Sequence, residues 1–175
     1  MTRLSTFENA VLPHLDAAFN LARWLTRNDH DAEDVTQEAF VRAFRYFDRL
    51  KGPEARPWLL GIVRNTCYSW LEKNRPAEVV PVDDFDAVLA SSAQGTSPSP
   101  EVILLQSANR KLVNQALEEL PVAFREVIVM REIEDMSYKE IAAIVSIPIG
   151  TVMSRLSRGR EMLKQSIESR ARKAS

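Results

Sequence analysis

Apolar residues recur every three or four positions through long stretches of this chain, which is the spacing of one face of an α-helix. In the first half the pattern predicts three main helices, at about 13–27, 32–50 and 55–73. Pro13 suits a first helical turn, where a proline sacrifices no intrahelical hydrogen bond. Gly52 and Pro53 end the second helix. We therefore predict a three-helix core for this half.

The helical spacing resumes after residue 100. One helix is predicted over about 101–120, and its successor begins at Pro121. Two more are predicted over 138–145 and about 148–167. Because no alternating strand pattern competes with these assignments, the predicted fold class is all-α.

Residues 76–100 interrupt the helical pattern. They include four prolines and no Lys or Arg, and their charged residues are Glu78, Asp83, Asp84 and Asp86. Such a composition buries too little apolar surface to pack and is typical of an extended tether. The chain is therefore predicted to hold two small helical domains, residues 1–75 and 101–175, joined by a flexible acidic linker at 76–100.

Cysteine content and hydropathy argue against a disulfide-bonded, secreted or membrane-spanning protein. The chain has one cysteine, Cys67, so it can form neither an internal disulfide nor a cysteine cluster for zinc, which suits a reducing cytoplasm. The first residues lack the apolar stretch of a signal peptide, and no apolar run approaches the ~20 residues that cross a bilayer. We expect a cytoplasmic chain without membrane insertion, in which Cys67 is a small buried residue.

The two predicted helices at 138–145 and about 148–167 have the form of a helix-turn-helix. Ser137 and Glu140 are spaced as a capping box, and Pro148 suits the start of the next helix. Seven basic and two acidic residues lie between 151 and 175, a local charge of +5, whereas the whole chain has a net charge of −1. Arginine forks and hydroxyls grip phosphates and base edges, so the last helix is predicted to be a recognition helix. The alternative is an ordinary surface helix with solvated charges, which the capping box, short turn, proline and arginine spacing together disfavour.

The predicted helix at 55–73 carries a second candidate surface. Trp58 and Trp70 fall on its apolar stripe and are expected in the core, whereas Arg64, Asn65 and Tyr68 lie on the other side, with Tyr68 exposed. Residues 51–75 hold five basic and two acidic residues. The segment therefore has a local charge of +3.

Two segments resemble the extracytoplasmic-function (ECF) subfamily of bacterial sigma factors. Residues 140–160 resemble sigma region 4, which binds the promoter's minus-35 element. Residues 31–40, with Trp58 and Leu59 and with Arg64 and Asn65, resemble sigma region 2, which binds the polymerase clamp and opens the minus-10 element. The two segments occur in the expected order, so the resemblance covers most of the chain.

The resemblance implies three sets of site residues and the partners they meet. The partners are core RNA polymerase, through its β′ clamp and β flap, promoter DNA, and an anti-sigma factor that masks the exposed faces. The minus-35 set is Thr151, Ser154, Arg155, Arg158, Arg160 and Lys164, which are expected to face outward or along the flanks. The minus-10 set is Arg56, Arg64, Asn65 and Tyr68, and the polymerase-binding set is Asp31, Glu33, Asp34, Gln37 and Glu38.

Some features depart from the family or leave alternatives open. Met153 stands where many relatives have Lys or Arg, which removes one DNA contact, and Ser146 replaces a Gly often found in the turn. The acidic linker is either a plain tether or a mimic of nascent RNA inside a positively charged polymerase channel.

Other functional classes fit less well. His14 and His30 lie apart, Cys67 has no evident base and no Gly-rich phosphate loop is present, so no enzyme, cofactor or metal site is predicted. Aspartates at 83, 84 and 86 lack the preorganisation of a divalent-ion site. The serious alternative is a helix-turn-helix transcription regulator that acts without being a polymerase subunit. The basic recognition helix argues against a pure protein-interaction module.

Overall fold

The computed structural model describes residues 2–79 and 110–174, and within these ranges the regular structure is helical. The first range contains α1 (Arg3–Val11), α2 (Leu15–Thr26), α3 (Asp29–Arg45) and α4 (Ala55–Asn74). The second contains α5 (Arg110–Glu118), α6 (Val122–Ile128), α7 (Tyr138–Val145) and α8 (Ile149–Ala174). These elements confirm the predicted all-α fold.

Helices α2, α3 and α4 pack against one another and form the core of the first range. Leu21, Leu25, Val35, Leu59 and Val63 are each at most 1% exposed. Burying each of these side chains contributes about 1.5–3 kcal/mol, so this core is the main stabilising feature of the first range.

Side-chain caps and turns explain where these helices begin and end. Asn28 caps α3 by accepting from the backbone N–H of Asp31, and Arg27 adopts a left-handed conformation (φ 60°) that ends α2. Asp29 and Asp31 lie in the first turn of α3, where negative charge stabilises the helix dipole.

Two elements of the first range differ from the prediction. Residues 3–11 form α1, because Thr2 caps it and Phe7 and Val11 bury one side. Helix α3 ends at Arg45 rather than near residue 50, and Phe47–Arg49 forms a separate 3-10 turn. That turn places the Phe47 ring 5.3 Å from Phe7 and 6.3 Å from Trp58, a contact between aromatic rings that local periodicity does not encode.

The start of the predicted linker packs against the first range. Pro76–Glu78 forms a 3-10 turn, and Glu78 pairs with Arg27 and Arg75. Residues 80–109, which hold the rest of the predicted linker and the start of the helix predicted over 101–120, lie outside the described residues.

In the second range, α6 continues into a π-helical turn, Val129–Ile133, and α7 follows. Ser137 and Glu140 form the predicted capping box, with both hydrogen bonds at 3.1 Å. Ser146 is left-handed (φ 62°) at the end of α7, and the axes of α7 and α8 are bent by 100°. This angle lies within the usual range for a helix-turn-helix, so the predicted motif is confirmed.

Helix α8 is longer than predicted, since it extends to Ala174 rather than about 167. It packs against α5, α6 and α7 through Val152, Leu156 and Leu163, which are at most 1% exposed.

The two ranges also contact each other, mainly where α4 packs against α7 and α2 packs against α6. Within the described residues, no single helix is long and apolar enough to cross a membrane. Helices α7 and α8 reach that threshold only when the bent pair is counted together.

Candidate nucleic-acid interface

The first turns of α8 present a polar surface to solvent. Met153, Ser154 and Ser157 are exposed and Thr151 is half-buried. The Ser154 hydroxyl donates to the Gly150 carbonyl at 2.9 Å, so this hydroxyl has an intrahelical partner before any ligand arrives. The start of the predicted recognition helix is therefore accessible.

Arg155 lies on the inward side of α8, so the prediction that it faces outward is wrong. The residue is 8% exposed, and its Nε has no hydrogen-bond partner among the described residues. It follows Val152 by three positions and precedes Gly159 by four, and both of these neighbours are buried. A residue at these spacings shares their face of the helix, which explains the burial.

The remaining basic candidates on α8 are half-buried. Arg160 donates to Glu132 at 3.1 Å, and Glu132 is only 6% exposed in its side chain. Arg158 and Lys164 are also half-buried, and Arg158 has an interaction of its own. Of the predicted minus-35 set, Ser154 is exposed, and Thr151, Arg158, Arg160 and Lys164 are half-buried.

One residue of the predicted minus-10 set is exposed, whereas the other three contact the second range. Asn65 is exposed on α4. Arg64 donates from Nε and an NH2 group to the two carboxylate oxygens of Glu126, at 2.9 and 3.1 Å, and Tyr68 donates to Glu126 at 2.9 Å. Arg56 donates to the backbone carbonyl of Glu134. Tyr68 is half-buried with its hydroxyl bound to Glu126 of α6, so the prediction that it is exposed is wrong.

Burial and the charge of Glu126 together set the protonation of this cluster. Burial alone would lower the pKa of Arg64, but the hydrogen bond and charge of Glu126 outweigh it and raise that pKa. Burial first, and the Glu126 carboxylate second, raise the pKa of Tyr68. Arg64 is thus firmly charged and Tyr68 firmly neutral at physiological pH.

The predicted polymerase-binding set forms an acidic face on α3. Glu33, Asp34, Gln37 and Glu38 are exposed. Glu38 pairs with Arg42 at 2.8 Å, one turn away. These four residues lie on one side of α3 because they are spaced by one helical turn.

Asp31 is the exception among the predicted polymerase-binding residues. It accepts from Arg75 at 3.0 Å and is half-buried. Part of its carboxylate is therefore engaged by a residue of the first range, and only its remaining exposed surface is open to a partner.

The sequence analysis missed three residues on these surfaces. Val41 is 60% exposed and continues the acidic face of α3 by one turn. Tyr46 is 39% exposed, with the Arg49 guanidinium 4.6 Å from its ring centroid. Glu126 is buried and contacts two predicted DNA-binding side chains. An apolar residue on a polar face signalled Val41, whereas nothing local signalled Glu126.

No metal site is evident in the described ranges, where no cluster of three or more His, Cys, Asp or Glu residues is suitably placed to hold an ion. The aspartates at 83, 84 and 86 lie outside those ranges.

The chain matches two protein families, one in each described range. Residues 10–76 match Sigma-70 region 2, and residues 110–163 match Sigma-70, region 4. The first match contains the acidic face and the predicted minus-10 set, and the second contains the helix-turn-helix.

Curated relatives agree with these matches. The chain is 36% identical over 146 residues to the ECF RNA polymerase sigma-E factor of Escherichia coli K12, which covers 79% of this chain and 74% of the relative. It is 35% identical over 163 residues to the ECF RNA polymerase sigma factor SigE of Mycolicibacterium smegmatis, which covers 92% of this chain. The chain spans only 61% of the length of that second relative.

Two solved structures with similar folds are both complexes. The sigma factor RpoE in complex with the anti-sigma factor NepR from Bartonella quintana aligns with a TM-score of 0.68 and 26% identity, over 93% of this chain and 97% of that one. CnrH in complex with the cytosolic domain of CnrY aligns with a TM-score of 0.65 and 25% identity, over 95% and 90%. The order of the two regions, the helix-turn-helix and the identity to curated relatives lead to one conclusion. The chain belongs to the ECF family of RNA polymerase sigma factors.

Proposed function

We propose that this chain directs core RNA polymerase to particular promoters and is not itself an enzyme. The helix-turn-helix formed by α7 and α8 carries the proposal, because its angle, capping box and open polar start are those of a module that enters the major groove. The chain is proposed to work in the cytoplasm, where bacterial polymerase and DNA are found. Like RpoE of Bartonella quintana, whose solved structure contains the anti-sigma factor NepR, it is proposed to bind an anti-sigma factor.

Helix α3 is the proposed docking surface for the β′ clamp of the polymerase. Its exposed Glu33, Asp34, Gln37 and Glu38 suit a basic partner, and Val41 adds apolar contact at the end of the same face. The β flap is the proposed partner of the second range. Residues 80–109 are proposed to connect the two domains while both are bound.

The proposed minus-35 contacts are Thr151, Ser154, Arg158 and Lys164. Arg155 and Arg160 are proposed to support the helix instead, because Arg155 is buried and Arg160 is paired with Glu132. The proposed minus-10 contacts are Arg56, Arg64, Asn65 and Tyr68, with Asn65 as the residue that reads a base edge, since its amide is exposed on α4.

Transcription with purified components tests the proposal. Core RNA polymerase and the purified chain are incubated with sheared genomic DNA, and the 5′ ends of the run-off transcripts are sequenced. We expect the transcripts to begin at a small set of specific start sites, and only when core polymerase and the chain are both present. A helix-turn-helix regulator would instead bind duplex DNA tightly and specifically by itself and would create no new start sites with core polymerase.

The Asn65→Ala variant tests the minus-10 assignment. We expect it to lower transcription from the mapped promoters while core polymerase binding stays unchanged, because Asn65 lies on α4 and not on the acidic face of α3. Ser69→Ala, an exposed change one turn further along α4, is the control. Loss of polymerase binding by a folded Asn65→Ala protein would refute the assignment.

The Arg158→Ala variant tests the minus-35 assignment. If Arg158 pairs with a base, its loss should weaken binding to the minus-35 element by about 1–3 kcal/mol. Lys173→Ala, near the far end of α8, removes the same charge and should have a smaller effect. Competition binding of the holoenzyme to promoter fragments measures both, and equal affinities for wild type and Arg158→Ala would exclude a base contact.

A further inference from the structure

Glu126 of α6 is a carboxylate with no exposure to solvent, and its partners come from the other described range. It is 0% exposed, and its two oxygens accept three hydrogen bonds, two from Arg64 and one from Tyr68. The Arg64 guanidinium also lies 3.7 Å from the centroid of the Tyr68 ring. A bidentate, charge-assisted pair of this kind is among the stronger polar contacts in proteins.

The two partners of Glu126 are members of the proposed minus-10 set. Arg64 is only 18% exposed in its side chain, and the fork that would grip a phosphate or a base is occupied by the carboxylate. A carboxylate and a phosphate offer a guanidinium the same planar pair of acceptor oxygens. Glu126 and a DNA strand therefore compete for one side chain.

The contact belongs to a broader interface that covers the same side of α4. Arg56 donates to the Glu134 carbonyl, and Arg125 donates to the Leu25 carbonyl at 3.3 Å. Helix α4 packs against α7, and α2 packs against α6. Three of the four proposed minus-10 residues are thus engaged by the second range, and Asn65 alone among them is exposed.

The other proposed surfaces are not covered in this way. Helix α8 packs mainly against α5, α6 and α7 of its own range, and its first turns keep Met153, Ser154 and Ser157 exposed. Most of the acidic face of α3 is exposed as well. The arrangement engages most of the proposed minus-10 residues, while most of the acidic face of α3 and the outer side of the first turns of α8 stay exposed.

We propose that Glu126 is an intramolecular latch that holds the free chain closed and denies the minus-10 strand access to Arg64 and Tyr68. This inference rests on the proposed function, because it regulates the same surface. Separating α6 from α4 lets Glu126 regain water and frees the Arg64 fork. Since a buried charge without a partner is costly, the latch opens by separation of the two halves rather than by rotation of Arg64 alone. The closed chain can dock on polymerase first and open afterwards.

Distances between spin labels test the closed state directly. Labels are placed on Glu72→Cys of α4 and Lys139→Cys of α7, both exposed positions, in a Cys67→Ala background. Without polymerase or DNA, we expect one narrow distance distribution. Glu126→Gln removes the charge at nearly constant size and should broaden the distribution toward longer distances. A broad distribution in the chain that retains Glu126 would overturn the latch, and so would identical distributions with and without Glu126→Gln.

Glu119→Gln is the matched control for the distance measurement and for the DNA-binding measurement described below. It also removes one negative charge from the second range, but Glu119 is exposed and pairs with Arg170 of the same range. Its distance distribution should match that of the parent chain. A circular dichroism spectrum equal to the parent's establishes that each variant is folded. If Glu126→Gln fails that check, the distribution of the parent chain still decides whether the free protein is closed.

Binding of single-stranded DNA tests the functional consequence. The probe is the non-template strand of the minus-10 segment from a promoter mapped with wild-type chain and core polymerase. The free Glu126→Gln chain should bind this strand roughly tenfold more tightly than wild type. Only open molecules can bind the strand, so the apparent affinity of the wild-type chain is reduced in proportion to its open fraction. Glu119→Gln should bind like wild type. Equal affinities for wild type and Glu126→Gln would refute the blocking role.

The two proposals fail in different ways. If wild-type chain and core polymerase yield no specific start sites, the proposed function fails, whatever the label distances show. If start sites are found but Glu126→Gln leaves both distance and strand affinity unchanged, the latch alone fails.

Discussion

Arg125 places a positive charge where the interior of a protein seldom holds one. The residue is 2% exposed, and it donates to the backbone carbonyls of Glu118 and Leu120, at 3.0 and 2.6 Å, and to that of Leu25. Burial and the nearby charge of Arg27 lower its pKa to about 10, so it stays protonated at neutral pH. The charge is tolerated because carbonyls at the ends of α5 and α2 have no intrahelical partners and carry partial negative charge.

Cys67 gives a residue-scale prediction. It is 0% exposed, and burial, with the charge of Glu126, raises the pKa of its thiol. The thiolate is the reactive form, so both effects slow its reactions. At pH 8 we expect the folded chain to react with a disulfide reagent roughly 100-fold or more slowly than the chain in urea. Absorbance of the released thiolate follows the reaction.

An exposed thiol on the same helix provides the comparison for Cys67. Ser69→Cys in a Cys67→Ala background places the thiol at an exposed position of α4, and it should react quickly in the folded chain. Rapid reaction of native Cys67 would mean that this part of the core opens far more readily than its burial implies.

At the scale of elements, α6 and α8 approach closely at Gly159. A Cβ at this position would lie 2.7 Å from Cδ1 and 3.3 Å from Cγ1 of Ile128, which is 1% exposed. At Gly150, by contrast, an added Cβ would meet nothing within 4 Å. Gly159 is therefore needed for the close packing of α6 and α8, whereas a side chain at Gly150 would meet no steric obstacle.

Replacing each glycine by alanine separates these roles. Gly150→Ala should stabilise the chain by about 0.4–1 kcal/mol, because alanine lowers the entropy of the unfolded state. Gly159→Ala should lower the entropy of the unfolded state by a similar amount, but the added methyl group overpacks against Ile128 at a cost of about 1–3 kcal/mol. We therefore expect this variant to be less stable than wild type. Urea unfolding followed by circular dichroism measures both. A stabilised Gly159→Ala protein would show that Ile128 yields without strain.

At the scale of the whole molecule, the two described ranges are coupled by buried polar contacts as well as by packing. All three tryptophans, Trp24, Trp58 and Trp70, belong to the first range. Their fluorescence therefore follows the first range, whereas circular dichroism at 222 nm follows helices throughout the chain. The distribution of tryptophan supplies a natural test of whether the halves unfold together.

Coincident unfolding is the expected result for the wild-type chain. Tryptophan fluorescence and circular dichroism should give the same urea midpoint, which is a standard sign of a cooperative transition. Arg125→Met removes a donor from the carbonyls of Glu118 and Leu120 in the second range and of Leu25 in the first. The Glu118 carbonyl keeps a hydrogen bond from Arg27 at 3.3 Å, so the cost of about 1–3 kcal/mol for each buried group without a donor applies to Leu120 and Leu25. We expect the dichroism midpoint to fall below the fluorescence midpoint in this variant. Separate midpoints in wild type would show that the halves are uncoupled.

Local signals in the sequence determined most of the helices. The capping box at Ser137, the apolar stripes of α3 and α8 and the acidic run on α3 all depend on residues within about one helical turn of each other. Patterns over such short distances predicted the all-α fold, the helix-turn-helix and the acidic face of α3, whereas the proposed role of that face in polymerase binding came from the family resemblance. They also predicted the burial of Cys67, which the structure confirms.

Tertiary structure alone decided which of the candidate side chains are available. Arg64 and Glu126 are separated by 62 positions in the chain, and no periodicity links them. Arg155 was expected to face outward or along a flank of α8, but it lies on the same side of the helix as Val152 and Gly159 and is buried. A side chain's partner across the molecule depends on how helices far apart in sequence pack, and packing is a property of the assembled fold rather than of any one helix.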